Sequence, residues 1–413
     1  MVWLRHLAQP GVGVPHPRRF QPVAVMSALL YLPAMAVATC LGLGKESNMR
    51  GLLAGDRGGL IQRAGDPVPL GHLPEEPNQP GDSRNNRLLA WLLAEMAEPL
   101  AKAVARYGRH RIAVVVGTST SGIAEGEAAL ARRLNTGSWP DGFHYSQQET
   151  GSAASFIADN LGLTGPAYVV GTACSSSAKV FASARRLIRQ GLADAAIVGG
   201  ADTLCGLTVA GFSALGAVSP QPCLPFSAQR RGITIGEGGA LFLLSPDPAE
   251  IALLGVGERS DAHHLSAPEP DGRGARETME AALADAGLRP DQIAYVNLHG
   301  TATQLNDAME ARAVNALFGP HVPCSSTKAL TGHTLGAAGA VEAALLWLTL
   351  SSGWNPAGLL PPQAGDASLD PEMPPIHLVQ GGETLPAIGP VAGLSSSFAF
   401  GGSNCALVLG RTS

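Results

Sequence analysis

The sequence predicts an α/β fold made of two similar halves, and three observations carry that reading. Short apolar runs of strand length recur at residues 34–39, 112–116, 195–199, 293–298 and 391–395, with stretches of helical periodicity between them. The 51 glycines fall between these runs rather than in low-complexity tracts, so they mark tight turns. The strands that close the two halves are alike, Gly239-Ala-Leu-Phe-Leu-Leu beside Asn404-Cys-Ala-Leu-Val-Leu, which suggests duplication. Alternating strands and helices imply parallel sheets covered on both faces.

Taken in order, residues 1–25 carry Arg, His and Pro without periodicity and are expected to form a disordered extension, with Met26 as the natural start. The apolar stretch 22–44 behind Arg18 and Arg19 has the outline of an export signal, but Pro33 interrupts it. A buried first strand at 34–39 is the preferred reading. The halves are assigned as 26–247 and 248–413. A short helix is expected at 45–54, a Pro- and Gly-rich surface loop at 62–82, and a helix at 83–107 kinked or restarted at Pro99. Helices follow at 122–134, 152–161 and 176–190, with buried strands at 167–170, 195–199 and 236–244. In the second half, strands are expected at 293–298, 323–325, 377–379, 391–395 and 405–409, and helices at 307–318 and 336–350.

Composition excludes some classes. In 413 residues, 45% hydrophobic and 15% charged, a large core is affordable. A net charge of −5 leaves no global footprint for nucleic acid. The six cysteines form neither a CxxC pair nor a Cys/His cluster at zinc spacing. That argues against a structural metal and for a reducing compartment, the cytoplasm. No segment is expected to insert into a membrane.

The chemistry starts at Gly171-Thr-Ala-Cys-Ser-Ser-Ser-Ala-Lys179. An apolar run precedes it and an amphipathic helix follows, so Cys174 sits at a strand-to-helix turn. A thiol there faces unpaired backbone N–H groups and the positive end of the helix dipole, both of which favour thiolate. An isolated cysteine would be read as structural; the small-residue turn shifts the reading to a nucleophile. Three segments of the second half hold polar groups among small apolar ones. They are His299-Gly-Thr-Ala-Thr, the run from Ser325 to Glu342 with Lys328 and His333, and Ser395-Ser-Ser-Phe-Ala-Phe-Gly-Gly-Ser-Asn404. Glu342 has Ala, Val, Leu and Trp as neighbours and needs a partner, for which Lys328 is placed.

Together, Cys174 in Thr-Ala-Cys-Ser-Ser, His299 in His-Gly-Thr-Ala-Thr, and Lys328 with His333 in Lys-Ala-Leu-Thr-Gly-His-Thr-Leu-Gly-Ala-Ala-Gly resemble the β-ketoacyl-[acyl-carrier-protein] synthases, in their elongating Cys-His-His branch. The resemblance runs from about residue 26 to 410. Arg84-Asn-Asn-Arg-Leu-Leu, Gly117-Thr-Ser-Thr-Ser-Gly and Ser260-Asp-Ala-His-His-Leu-Ser-Ala-Pro268 further resemble the ketosynthases of bacterial aryl-polyene pathways.

The resemblance implies a thiolase fold, a five-layer α-β-α-β-α sandwich, and decarboxylative Claisen condensation of malonyl-carrier with an acyl group held on Cys174. His299 and His333 would stabilise the enolate, with Lys328 and Glu342 orienting that site. Backbone N–H groups of Cys174 and Phe400 would form an oxyanion hole. Thr301 and Thr303 would bind the pantetheine arm, and Phe398 and Phe400 would gate the acyl pocket. It implies no bound cofactor, the phosphopantetheine arriving on an acyl carrier protein, and a homodimer or a heterodimer with a ketosynthase-like subunit.

The chain departs from the family at four positions: Ala399 stands where glycine is usual, Gln304 where proline is usual, and Ser227 and Arg231 where aspartate is common. Alanine at 399 would be strained if that residue needs positive φ, and Gln304 is expected only to loosen a turn. Arg185, Arg186, Arg189, Arg230 and Arg231 are candidates for steering an acidic carrier. Two alternatives remain: a thiolase, whose second cysteine would have to be Cys405 although that residue sits in a strand pattern and reads as structural, and a chain-length-factor-like subunit without catalysis.

Overall fold

The computed structural model describes residues 29–386 and 389–412; the expected extension at 1–25 and the start at Met26 lie outside them. Ten principal strands are β1 (Leu30–Thr39), β2 (Ile112–Gly117), β3 (Ala167–Val170), β4 (Ala195–Asp202), β5 (Gly238–Ser245), β6 (Ile251–Ser260), β7 (Ile293–Asn297), β8 (Pro323–Ser325), β9 (Val391–Phe398) and β10 (Ser403–Arg411). Their spatial order is β3-β2-β4-β5-β1 followed by β6-β10-β9-β7-β8, the second unit being the first repeated in reverse direction across the sheet. In each unit the second strand is parallel to the third and fourth, while the fifth runs antiparallel to the fourth and first. The two similar closing segments, β5 and β10, occupy the same place in their units.

The sheets are therefore mixed, which corrects the parallel expectation. In the second half the reason is connection length: β9 and β10 are joined by a few residues, and strands so joined must run antiparallel. β1 and β6 meet where Leu30 pairs with Leu253 and Tyr31 with Ala252, joining the units edge to edge. β1 starts earlier than expected and carries Pro33 within it. The pairing with β5 shifts register between Tyr31 and Ala34, so the residue without an N–H falls at an irregularity.

The helices are α1 (Lys45–Ala54), α2 (Arg84–Ala94), α3 (Ala97–Tyr107), α4 (Ile123–Thr136), α5 (Ser152–Leu161), α6 (Ser176–Arg189), α7 (Gly206–Ala214), α8 (Arg273–Ala286), α9 (Gln304–Phe318), α10 (Lys328–Thr331) and α11 (Ala338–Leu350). α6 and α11 pack on each other and on strands of both units, forming the middle layer. Every residue of α11 is buried and all but Glu342 and Thr349 are apolar, as suits a helix in such a layer. α2 and α5 cover the outer face of the first unit, and α8 and α9 that of the second. The result is the five-layer thiolase-type sandwich.

Local differences have local causes. The helix expected over 83–107 breaks at Glu95–Met96, and Pro99 lies in the first turn of α3, where its missing N–H has no partner to lose. The loop 62–82 is not all surface: Leu70 and Leu73 are buried, and Leu60–Ile61 pairs with Leu70–Gly71. β3, expected buried, is half-buried to exposed because among the described residues it is the last strand on its side of the sheet. β6 was not foreseen because Gly255 and Gly257 interrupt its apolar run. They are there for α8, since a Cβ on either would come within 2.2 Å and 2.0 Å of carbonyls of Ala282 and Thr278.

Candidate active site

Cys174 follows β3 at a turn held by side chains. The Ser176 hydroxyl accepts from the Thr172 N–H at 2.9 Å and donates to the Ala173 carbonyl at 2.6 Å. Ala173 has φ 52°, a left-handed conformation that side chains rarely adopt, so the nucleophile turn stores strain. Cys174 is buried at the floor of a cavity of about 400 Å³, whose wall includes His299, His333, Thr301, Thr303, Phe398 and Phe400.

Distant segments bring the imidazoles in. His333 follows α10 and is clamped to the first half, its N–H donating to the Thr234 carbonyl at 2.7 Å and its carbonyl accepting from the Gly236 N–H at 3.0 Å. Its Nε2 lies 3.0 Å from Cys174 Sγ. His299 follows β7, with ring centroid 5.5 Å from that of His333 and nearly perpendicular to it. One ring nitrogen of each histidine and the sulfur all lie within 4.8 Å of one another. Lys328 Nζ sits 3.2 Å from His299 Nδ1, donates to the His299 carbonyl at 2.5 Å, and forms a short ion pair with Glu342.

Burial governs ionisation here. Desolvation, with the nearby Lys328 charge, holds both imidazoles well below their usual value, so both are neutral. Desolvation also pushes the Cys174 thiol up to about 11, against Lys328 and the backbone groups of Phe400 and Cys174, which favour thiolate. The acidified thiol expected from the helix terminus is thus corrected: removal of water, with the Glu342 carboxylate adding to it, outweighs the Lys328 charge and the backbone N–H groups. Alkylation of Cys174 by iodoacetamide is accordingly expected to keep rising from about pH 7 to about pH 10, because a neutral thiol releases its proton only near its raised value. A plateau near neutrality in a mass-spectrometric rate profile would contradict this.

The Lys328–Glu342 pair is fully buried, and desolvation pushes the Glu342 carboxyl up to about 7. Lys328→Ala leaves that carboxyl without its cation, an expected cost of about 3–5 kcal/mol. Thermal denaturation should show a smaller loss for the double variant Lys328→Met/Glu342→Leu than for Lys328→Ala; the reverse order would show that the pair is not coupled.

Thr303 stands at the N-terminus of α9 but its side chain caps no backbone N–H; instead its hydroxyl lies 3.0 Å from that of Thr301. Both residues line the cavity, and the Thr301 hydroxyl also accepts from the Thr303 N–H at 3.5 Å. Ala399 has φ −103° and ψ 154°, extended backbone that any residue adopts, so alanine carries no strain there; the left-handed positions are Gly401 and Gly402. Phe400 is partly exposed and rests against Phe212 at 5.9 Å, whereas Phe398 is buried beside His299.

Sequence reasoning missed the carboxylates that hold the loops. Glu310 accepts from the N–H groups of His299 and Gly300, each at 2.7 Å, and from Ser396 Oγ at 2.8 Å, fixing the turn that aims His299. Asp202 gathers Thr118, Ser119 and Thr120 and accepts from the Ala337 N–H at 3.0 Å, tying the segment after His333 to the first half. Acids inside small or apolar runs were the available signal.

The proposed basic patch does not form. Arg185 is buried and paired with Asp285, Arg186 pairs with Glu258, and Arg230 is buried against Asp370. Of the five arginines, Arg230 and Arg231 line the cavity, while the three on α6 do not. Gln304 does not loosen its turn: Nε2 donates to the Arg230 carbonyl at 2.8 Å. Ser227 donates to Asp366 at 2.5 Å, so a carboxylate reaches that place from another loop. Cys405 is fully buried in β10 within the core and away from the cavity, which disfavours a thiolase role.

Two family models match the chain, "Beta-ketoacyl synthase, N-terminal domain" over residues 83–249 and "Beta-ketoacyl synthase, C-terminal domain" over residues 250–360. The 3-oxoacyl-[acyl-carrier-protein] synthase 2 of Synechocystis sp. is 33% identical over 72% of this chain and 74% of its own. Nodulation protein E of Rhizobium meliloti is 34% identical over 72% of this chain and 75% of its own. Among solved structures, the ketosynthase ApeO, in complex with its chain length factor ApeC from Xenorhabdus doucetiae, is similar with TM-score 0.87 and 45% identity. The match covers 93% of this chain and 98% of that one.

Proposed function

Because the chain belongs to the β-ketoacyl synthase family, we propose that it extends an acyl chain held on Cys174 by two carbons, through decarboxylative condensation with a malonyl group borne on an acyl carrier protein. The observation that carries this reading is the sulfur 3.0 Å from a neutral imidazole, with a second neutral imidazole beside it, at the floor of one cavity.

In acylation, His333 Nε2 takes the thiol proton as Cys174 Sγ attacks the acyl thioester, and the departing carrier thiolate receives that proton. The tetrahedral oxyanion is held by the backbone N–H groups of Cys174 and Phe400. The Lys328 ammonium donates toward His299 Nδ1, which fixes the His299 proton on Nε2, the nitrogen free to face substrate. Once acylated, the sulfur no longer offers a proton to His333 Nε2, so that nitrogen becomes a donor through the other tautomer. Both rings then donate to the malonyl thioester oxygen as the carboxylate leaves as CO₂ and its electron pair forms the enolate. The enolate carbon attacks the acyl carbonyl, the C–S bond breaks, the sulfur leaves as thiolate, and it takes a proton from water to return to the resting thiol. Thr301 and Thr303 position the pantetheine amides, and Phe398 and Phe400 line the passage.

We assign a ketosynthase-like partner subunit on two grounds: the ApeO structure is a complex with a chain length factor, and β3 ends the sheet with no further strand beside it among the described residues. The presence of Cys174, His299 and His333 together makes this chain the condensing subunit rather than the accessory one. An aryl-polyene pathway and the reducing cytoplasm complete the reading. Among the described residues no helix is long and apolar enough to cross a membrane. Incubation with a panel of acyl carriers plus malonyl carrier, followed by intact-protein mass spectrometry, should show one acyl group on Cys174 and a product two carbons longer. No acyl adduct from any donor would overturn the proposal.

A further inference from the structure

The cavity that ends on Cys174 shares part of its outer wall with a second cavity of about 460 Å³, and the shared residues are Arg230, Arg231 and Gln304. The second cavity is also bordered by Ser219, Gln221 and Gln229. The two arginines at the junction are chemically unlike. Arg230 is buried and its guanidinium is occupied by Asp370, the Ser227 carbonyl at 2.9 Å and the Gln304 carbonyl at 3.3 Å. Arg231 is exposed, and no described residue hydrogen-bonds or ion-pairs with its guanidinium.

Its backbone, by contrast, is fixed on both sides. The Arg230 carbonyl accepts from Gln304 Nε2 at 2.8 Å, and the Gly232 N–H donates to the Ala302 carbonyl at 2.8 Å. Gly232 has φ +116°, and a Cβ there would lie 2.2 Å from the Ala217 carbonyl, so this rib admits glycine alone. Among the described residues no carboxylate is ion-paired with Arg231: Asp370 is paired with Arg230, while Asp366 and Asp261 are hydrogen-bonded to Ser227 and, at 2.6 Å, to Asn404. An unpaired guanidinium thus stands on a rigid rib beside the Thr301–Thr303 segment, where the passage to Cys174 meets a polar cavity.

We propose that Arg231 binds the phosphate at the outer end of the pantetheine arm, the second cavity receiving the group beyond it. The proposal rests on the condensing function above, which puts a phosphopantetheinyl thioester in this passage. A planar guanidinium matches two phosphate oxygens at once. The phosphate can come from the carrier phosphodiester or from the diphosphate of coenzyme A.

The test offers one acyl group on pantetheine, on 4′-phosphopantetheine, on coenzyme A and on the carrier, and follows acylation of Cys174 by intact mass. In the unmodified protein, kcat/KM for the phosphopantetheine thioester should exceed that for the pantetheine thioester by about tenfold or more, as a charged hydrogen bond provides. Arg231→Ala should bring that ratio close to one, and Arg231→Lys should restore part of it. An unchanged ratio in Arg231→Ala, or equal losses with both small donors, overturns the proposal. A loss larger on the carrier than on coenzyme A assigns the phosphodiester, and the opposite assigns the diphosphate. If no donor acylates the unmodified protein, the condensing function falls first and this site with it, so the two failures are distinct.

Discussion

Replacing Cys174 with alanine is expected to abolish chain elongation, a loss on the order of 10⁴-fold or more, as when the nucleophile of a covalent catalyst is removed. The reason is positional. Among the described residues the free cysteines are all buried, but of these Cys174 alone lines the cavity that also holds His299 and His333. Cys405 is buried in β10, where loss of water, with the Glu258 carboxylate adding to it, holds the thiol protonated against the nearby cations. Cys405→Ala should therefore keep elongation within a fewfold of the parent. Product formation from acyl and malonyl carriers measures both variants, and an inactive Cys405 variant beside an active Cys174 variant would reverse the assignment.

His299→Ala and His333→Ala are expected to lower malonyl decarboxylation by roughly 10²–10³-fold each, the usual effect of removing one donor from a developing oxyanion. Acylation should separate the two. His333 touches the sulfur, so its loss should also slow loading of Cys174, while His299, whose closest described partner is Lys328, should leave loading measurable. CO₂ release from malonyl carrier and acyl-adduct formation report the two steps independently. Loss of loading with intact decarboxylation in His299→Ala would contradict the role given. Because both imidazoles are held neutral by burial, decarboxylation should persist as pH falls through the usual histidine range and decline only below it. A decline centred near pH 6.5 would show that the rings titrate as if solvated.

How much was legible in the chain depended on range. α1, α5, β3 and β8 begin and end where their apolar runs, glycines and caps place them. The nucleophile turn was legible because strand, small residues and helix are contiguous. β6 was not, since its two glycines answer to the α8 backbone crossing them rather than to anything nearby in sequence. Arg185, Arg186 and Arg230 looked like a free basic surface because their acidic partners, Asp285, Glu258 and Asp370, are 72 or more positions away.

By itself, the order of residues determined the two-half α/β plan, the strand-to-helix turn bearing the thiol, and the set of polar side chains that meet it. Each is a matter of spacing over a few turns of chain. Only the tertiary structure decided what charge those groups carry and which cations remain available. The sulfur keeps its proton despite its helix terminus, because the layers packed around it remove the water that would stabilise the thiolate. Arg231 stays unpaired while its neighbour Arg230 is consumed, because the loop carrying Asp370 folds against one of them and not the other.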